Sequence, residues 1–242
     1  VNEDINPVRD IEIIDTEILL ADLESLQKRL EKSNKKKIDK DELIFLEECM
    51  KKINNGEKPE ELKKKFDKNL IKKSALLSLK PKIIVCNVDE KSLPDGNKYS
   101  DACKKKFPNE NIIVVCADIE DQIMSLRTKD RKDFMLASGI KSTGLDNLIK
   151  TGYSTLGLST FFTSGPEESR AWTIEKKSKA ADAAGVIHTD FKKKFIRAET
   201  VTYEDFIKYK GFNECKNAGK LRLEGKDYIV KDGDVMFFRT GA

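Results

Sequence analysis

A chain of 242 residues is long enough for one large domain or two ordinary ones, each with a sizeable core. Its 36% charged, 38% hydrophobic and 7% aromatic residues describe a charge-coated globular protein and argue against disorder except locally. The balance of 46 Lys+Arg against 42 Asp+Glu leaves +4, too little by itself to demand a nucleic-acid partner, and no run approaches the ~20 apolar residues of a membrane span.

In chain order, residues 1–10 read as a loop ending in a helix start. From Ile11 the pattern is helical, and Leu19, Leu23, Leu26 and Leu30 are spaced as a coiled-coil seam. Residues 33–41 (SNKKKIDKD) interrupt it before Leu43, Leu46, Met50 and Ile53 resume. A turn at Asn54-Asn55-Gly56 leads to another helical stretch from about Glu60 to Ser78. Such helices predict an antiparallel hairpin, a projecting arm. Beyond Lys80-Pro81, Lys82–Cys86 and Asn111–Cys116 are short, β-branched, nearly all-apolar runs, the pattern of parallel strands buried on both faces. Lys98–Phe107 fits a crossover helix between them, in a right-handed βαβ unit. Glu120–Ser138 and Gly144–Leu156 follow as helices. From Gly157 strands are predicted at Ser159–Thr163, Arg170–Ile174, Phe195–Thr202, Tyr228–Val230 and Val235–Arg239. With short helices at Ala180–Ala184 and Tyr203–Tyr209, they predict a small α+β domain.

Five cysteines, Cys49, Cys86, Cys103, Cys116 and Cys215, lie far apart with no C-x-x-C pair. They read as reduced thiols in a cytoplasmic protein with no disulfide-linked partner. With a single histidine, His188, no metal site is expected. No signal peptide is evident and the sequence opens on Val1, so it is expected to begin inside a longer protein.

Two loops follow the buried strands: Asn87-Val88-Asp89-Glu90 and Ala117-Asp118-Ile119-Glu120. In open α/β sheets ligands bind beyond the carboxyl ends of the strands, so both loops face one crevice. Asn87 offers a donor and an acceptor suited to a purine edge, Glu90 an acceptor for an amino group, and Val88 an apolar contact for the base. On spacing alone, ordinary polar turns are the plainer alternative. His188 beside Asp190 lacks a nucleophile for company and reads as structural. The runs Lys35-Lys36-Lys37, Lys63-Lys64-Lys65 and Lys192-Lys193-Lys194 are either solvated faces or phosphate contacts.

The stretches GVIHTDFKKKFIRAETVTYEDF (Gly185–Phe206) and AGKLRLEGKDYIVKDGDVMFFR (Ala218–Arg239) closely resemble the TGS domain of the YchF/Obg-like ATPase family. NPVRDIEIIDTEILLADLESLQKRL (Asn6–Leu30) resembles that family's entry into its helical arm, and LKPKIIVCNVDE (Leu79–Glu90) its base-recognition strand and loop. The resemblance implies an α/β fold: the C-terminal part of a parallel-sheet P-loop domain (1–10 and 80–155), an inserted helical coiled-coil arm (11–79) and a β-grasp TGS domain (156–242). It further implies ATP binding and hydrolysis, GTP less favoured, with Mg2+ in the full-length parent, and a ribosome or ribosomal RNA as partner. The base loop of ordinary GTPases, Asn-Lys-x-Asp, becomes Asn87-Val88-Asp89-Glu90 here. The longer carboxylate and the missing lysine imply a loop relaxed from guanine towards adenine. The second base loop maps onto Cys116-Ala117, where a backbone amide is the expected contact.

No G-x-x-x-x-G-K-[ST] occurs in these 242 residues. Phosphoryl transfer depends on positioning and charge neutralisation by such parts, so the chain alone is expected to hold no catalytic residue and to be inactive. The alternative is a non-catalytic adaptor that binds RNA or the ribosome.

Overall fold

The computed structural model describes residues 4–33 and 39–241, so Lys35, Lys36 and Lys37 lie outside the described residues. The chain divides into two compact units, Val1–Leu148 and Ile149–Ala242.

In the first unit, helix α1 (Pro7–Ser33) opens on a proline, and the Asn6 side chain accepts a hydrogen bond from the Arg9 amide at 3.1 Å. Proline in a first turn forfeits no helical bond, so α1 can start at Pro7, at the end of the stretch read as a loop ending in a helix start. Helix α2 (Lys40–Asn54) buries Phe45, Leu46, Cys49 and Ile53, which share a core with Leu26, Leu62, Leu76 and Leu79. Leu19, Leu23, Leu30 and Met50 pack at its margin. Arg29, late in α1, lies 3.6 Å from Glu42 early in α2. Asp15, early in α1, binds Lys58 beyond α2 at 2.7 Å, so the two helices run antiparallel.

The stretch expected as one helix from Glu60 to Ser78 is broken. A 3-10 turn (Pro59–Lys64) gives way to α3 (Lys68–Ser74), because Asp67 caps a new helix through the Asn69 amide at 2.8 Å. Ala75, at φ 57°, ends it. The chain is then pinned to α1 by Asp22, which is 3% exposed. Its carboxylate accepts from the Leu77 amide (2.8 Å), the Ser78 amide (2.7 Å) and the Ser78 hydroxyl (2.6 Å). Asp15 is held differently: partial burial pushes its carboxyl up, but Lys58 and Lys82 outweigh that and keep it below its usual range.

Strands β1 (Ile83–Asn87) and β2 (Asn111–Val115) pair in parallel, Ile83 opposite Asn111 and Asn87 opposite Val115, joined through α4 (Lys98–Lys106). The two strands are not buried on both faces: Ile113 is buried, but Val85 is 45% exposed. Only two strands pair here among the described residues, and Val85 opens onto a cleft that Ile11 and Ile14 of α1 also line. The helix expected from Glu120 to Ser138 is two, α5 (Ala117–Ser125) and α6 (Thr128–Ala137). Leu126 and Arg127 are extended, and the Arg131 guanidinium donates to the Leu126 and Met124 carbonyls at 3.0 Å, closing the end of α5. Helix α7 (Gly144–Thr155) follows.

The second unit contains β3 (Leu158–Ser164), β4 (Ser169–Glu175), α8 (Ala180–Ile187), α9 (Thr189–Lys193), β5 (Phe195–Thr202), α10 (Tyr203–Tyr209), α11 (Phe212–Asn217), β6 (Arg222–Glu224) and β7 (Asp234–Thr240). The sheet order is β4-β3-β7-β5-β6, with β3 and β7 parallel and the other pairs antiparallel. Alternation along the strands makes two cores: Phe161, Ala198 and Met236 with Ala180 and Ala183 of α8, and Val201 and Val235 with Cys215 of α11. Tyr228–Val230, expected as a strand, makes only an isolated bridge, Ile229 to Lys179. Its pairing stops after the Ala180 amide to Tyr228 carbonyl (2.8 Å) and Val230 amide to Ser178 carbonyl (3.0 Å) bonds, and beside it Asp234, 2% exposed, gathers the Tyr228 hydroxyl (2.8 Å), the Lys231 amide (2.9 Å) and Arg222 (3.0 Å). Burial, with the Asp234 carboxylate, pushes the Tyr228 phenol up to about 12.

Asp22→Ala leaves the buried Ser78 amide and hydroxyl and the part-buried Leu77 amide without their acceptor. It should lower stability by about 2–4 kcal/mol in urea unfolding, with Asp22→Asn losing less. An unchanged midpoint would show that this anchor does not hold the 75–79 segment.

Candidate functional site

The parallel pairing of β1 and β2 brings two loops to the same end of the sheet. The pairing continues one step past the strand, because the Val88 amide donates to the Val115 carbonyl at 2.8 Å. The Asn87 side chain then crosses to the second loop: its Oδ1 accepts a hydrogen bond from the Ala117 amide at 3.0 Å. Four of the five residues expected at the base therefore lie on or beside one link, Asn87, Val88, Cys116 and Ala117. Glu90 opens a 3-10 turn (Glu90–Ser92) just beyond, with its carboxylate exposed and free of hydrogen bonds or ion pairs among the described residues.

The side chains are not equivalent. Val88 is 9% exposed, and Cys116 is 1% exposed in a core with Ile119 and Ile123. Cys116 thus offers the loop its backbone alone, and the Ala117 amide is committed to Asn87. Asp89 is committed as well, capping the 3-10 turn through the Ser92 amide at 3.0 Å. Along β1, between α1 and α4, runs a cleft of about 740 Å³ lined by Ile11, Ile14, Val85 and Cys103, with Asn87 and Val88 also on its wall.

Glu120 has a role that spacing did not suggest. Its carboxylate accepts from the amides of Gly144 (2.5 Å) and Leu145 (3.3 Å), so a negative charge sits on the first turn of α7. Gly144 is required there: a Cβ would lie 2.7 Å from Val115 Cγ1 and 3.0 Å from Glu120 Oε1. His188 is a cap, its Nδ1 accepting from the Asp190 amide at 3.2 Å at the start of α9.

The described lysines of the runs divide into paired and free. Lys65 binds Glu48, and Lys192 binds Asp182 at 2.7 Å with its stem packed against Gly185. Lys63, Lys64, Lys193 and Lys194 are exposed and make no ion pair among the described residues.

The family model YchF-GTPase_C, described as "Protein of unknown function (DUF933)", matches residues 158–241. The ribosome-binding ATPase YchF of Bacillus subtilis (strain 168) is 43% identical over 246 residues, 97% of this chain and 67% of that protein. The protein of the same name from Escherichia coli O157:H7 is 43% identical over 242 residues, 97% and 66% respectively. This chain therefore spans about two thirds of the length of these curated relatives. Among solved structures, the Schizosaccharomyces pombe YchF GTPase superposes with a TM-score of 0.79 at 32% identity, covering 99% of this chain and 68% of that one. A GTP binding protein from Pyrococcus horikoshii OT3 shares the fold, with a TM-score of 0.61 at 18% identity over 99% of this chain and 73% of that one.

Removing the clamp by Glu120→Ala should cost about 0.5–2 kcal/mol, as the loss of a helix cap does. It should also speed hydrogen exchange at the Gly144 and Leu145 amides, with Glu120→Gln intermediate. Equal exchange in all three proteins would mean the carboxylate does not hold α7.

Proposed function

The chain belongs to the YchF family, and from that we propose that it is the base-reading and ribosome-contacting part of a cytoplasmic nucleoside triphosphatase. The observation that carries this reading is the Asn87–Ala117 hydrogen bond, which locks two strand-end loops together beside an unpaired Glu90 carboxylate. On this reading 1–10 and 80–155 belong to the nucleotide-binding domain, 11–79 form the helical coiled-coil arm, and 156–242 are a β-grasp TGS domain. The phosphates and Mg2+ are handled by polypeptide outside these residues, since no G-x-x-x-x-G-K-[ST] lies within them.

The division of labour within the loop comes from burial. Asn87 shapes the loop, and the free Glu90 carboxylate meets the exocyclic amino group that adenine carries. Val88 is a poor place to restore the lysine of guanine-binding loops, because a cation there would be buried at 9% exposure. Glu90 is the better lever. In the full-length parent, Glu90→Asp should move the ATP:GTP affinity ratio towards GTP by about 1–3 kcal/mol, the scale of a good base contact. Competition binding reads this directly, and an unmoved ratio removes Glu90 from the base site.

Ribosome association comes from the names of the relatives, and the unpaired lysines suit it. Binding of the 242-residue chain to ribosomes should weaken steeply with salt. Lys63→Glu with Lys64→Glu, or Lys193→Glu with Lys194→Glu, should each flatten the log–log salt dependence by about 1 or more, whereas Lys65→Ala should change it little. Co-sedimentation across a salt series tests this, and affinity indifferent to salt places the contact elsewhere.

A further inference from the structure

The second unit contains a cleft of about 620 Å³ whose walls come from α7, β3 and the loop before β7. That is within the range of small-ligand sites, about 300–1,000 Å³. Tyr153 and Phe162 give it an aromatic wall, the Tyr153 hydroxyl lying 3.1 Å from Thr173 Oγ1. Lys150 and Lys176 also line it, both exposed and without an ion pair among the described residues.

The ion-pairing carboxylates of this unit go to other cations. Lys179 is matched by Asp227, Lys192 by Asp182, Arg222 by Asp234 and Arg239 by Glu199. Asp232 is the only carboxylate among the described residues of the cleft wall, and its Oδ1 accepts the Thr160 amide at 2.8 Å. The cleft therefore joins two uncompensated cations to an aromatic surface.

We propose that this cleft binds single-stranded RNA, with a base against Tyr153 and the flanking phosphates on Lys150 and Lys176. Stacking on an aromatic ring requires a base free of its duplex, and ammonium groups beside the ring meet the backbone. An acidic peptide would use the lysines but leave the aromatic wall idle. The proposal deepens the ribosome reading and rests on it for the source of the RNA.

The test is fluorescence anisotropy of the 242-residue chain with an unstructured RNA of about 12 nucleotides, the same sequence as a duplex, and poly-glutamate, over a salt series. Single strands should bind more tightly than duplex or poly-glutamate. Lys150→Ala with Lys176→Ala should weaken binding about tenfold at low salt and reduce the log–log slope by about 1.4, two phosphates at about 0.7 each. The corresponding double Arg variant should retain both. Tyr153→Leu should weaken binding about tenfold with the slope unchanged. Wild-type affinity and slope in the double Ala variant overturn the proposal, as does duplex or poly-glutamate binding equal to that of the single strand. Ribosome co-sedimentation of the same proteins separates the two readings. If the wild-type chain sediments with ribosomes while the cleft variants bind RNA normally, the cleft proposal alone falls. If the RNA signature appears without co-sedimentation, the ribosome reading alone falls.

Discussion

Backbone pairing of β1 with β2 sets the strands in register but does not fix the loops beyond their carboxyl ends. The hydrogen bond from the Ala117 amide to the Asn87 side chain does, because it joins the two chain segments where they leave the sheet. Ala117 is the first residue of α5, so the same bond sets where that helix starts and which way it turns Cys116, Ile119 and Ile123 into their core. One turn into α5, Glu120 passes the constraint on to the first turn of α7. The absence of a side chain at Gly144 lets that turn approach β2 closely enough to be held. A single amide thus orders a loop, two helices and a core, and a ligand touching either loop meets a surface that is already assembled.

Much of this was legible in the residues, and the exceptions have physical causes. The β-branched run Phe195–Thr202 and helix Tyr203–Tyr209 stand where the pattern puts them, with Thr202 closing the strand and capping the helix through the Asp205 amide. β6 is three residues long and α9 five, too short for any periodicity to emerge. The break between α5 and α6 was hidden because apolar spacing runs on across Leu126, and only the Arg131 contacts reveal the stop. Asn87 and Glu90 could be found because they lie at the carboxyl end of a short apolar run that forms a parallel strand. Glu120 could be seen in its loop but not in its role, because the amides it holds lie 24 and 25 residues further along the chain.

Charge was the least faithful guide. A run of three lysines looks uniform in sequence, yet Lys192 is spent on Asp182 and Lys65 on Glu48, while their neighbours are free. The converse holds for Lys150 and Lys176, which lie 26 residues apart in the sequence and become one feature only when the fold brings α7 beside β3 and the end of β4. Electrostatic character here belongs to cations left without a partner after the carboxylates have been assigned, not to local lysine density.

The cysteines give the molecule a set of internal gauges. Cys49 lies in the core between α1 and α2, Cys116 in the core beneath the second loop, and Cys215 under α11, each at most 1% exposed. Cys103 is likewise buried in α4, whereas Cys86 is only half-buried on β1. Burial, reinforced by nearby carboxylates, pushes the Cys49 thiol up to about 12 and raises that of Cys215. A buried, protonated thiol reacts with an alkylating reagent only when its surroundings open, so each rate reports the opening of one region of the fold. Timed alkylation read by peptide mass would therefore rank these regions by local stability in the unmodified protein, with Cys86 as the fast reference.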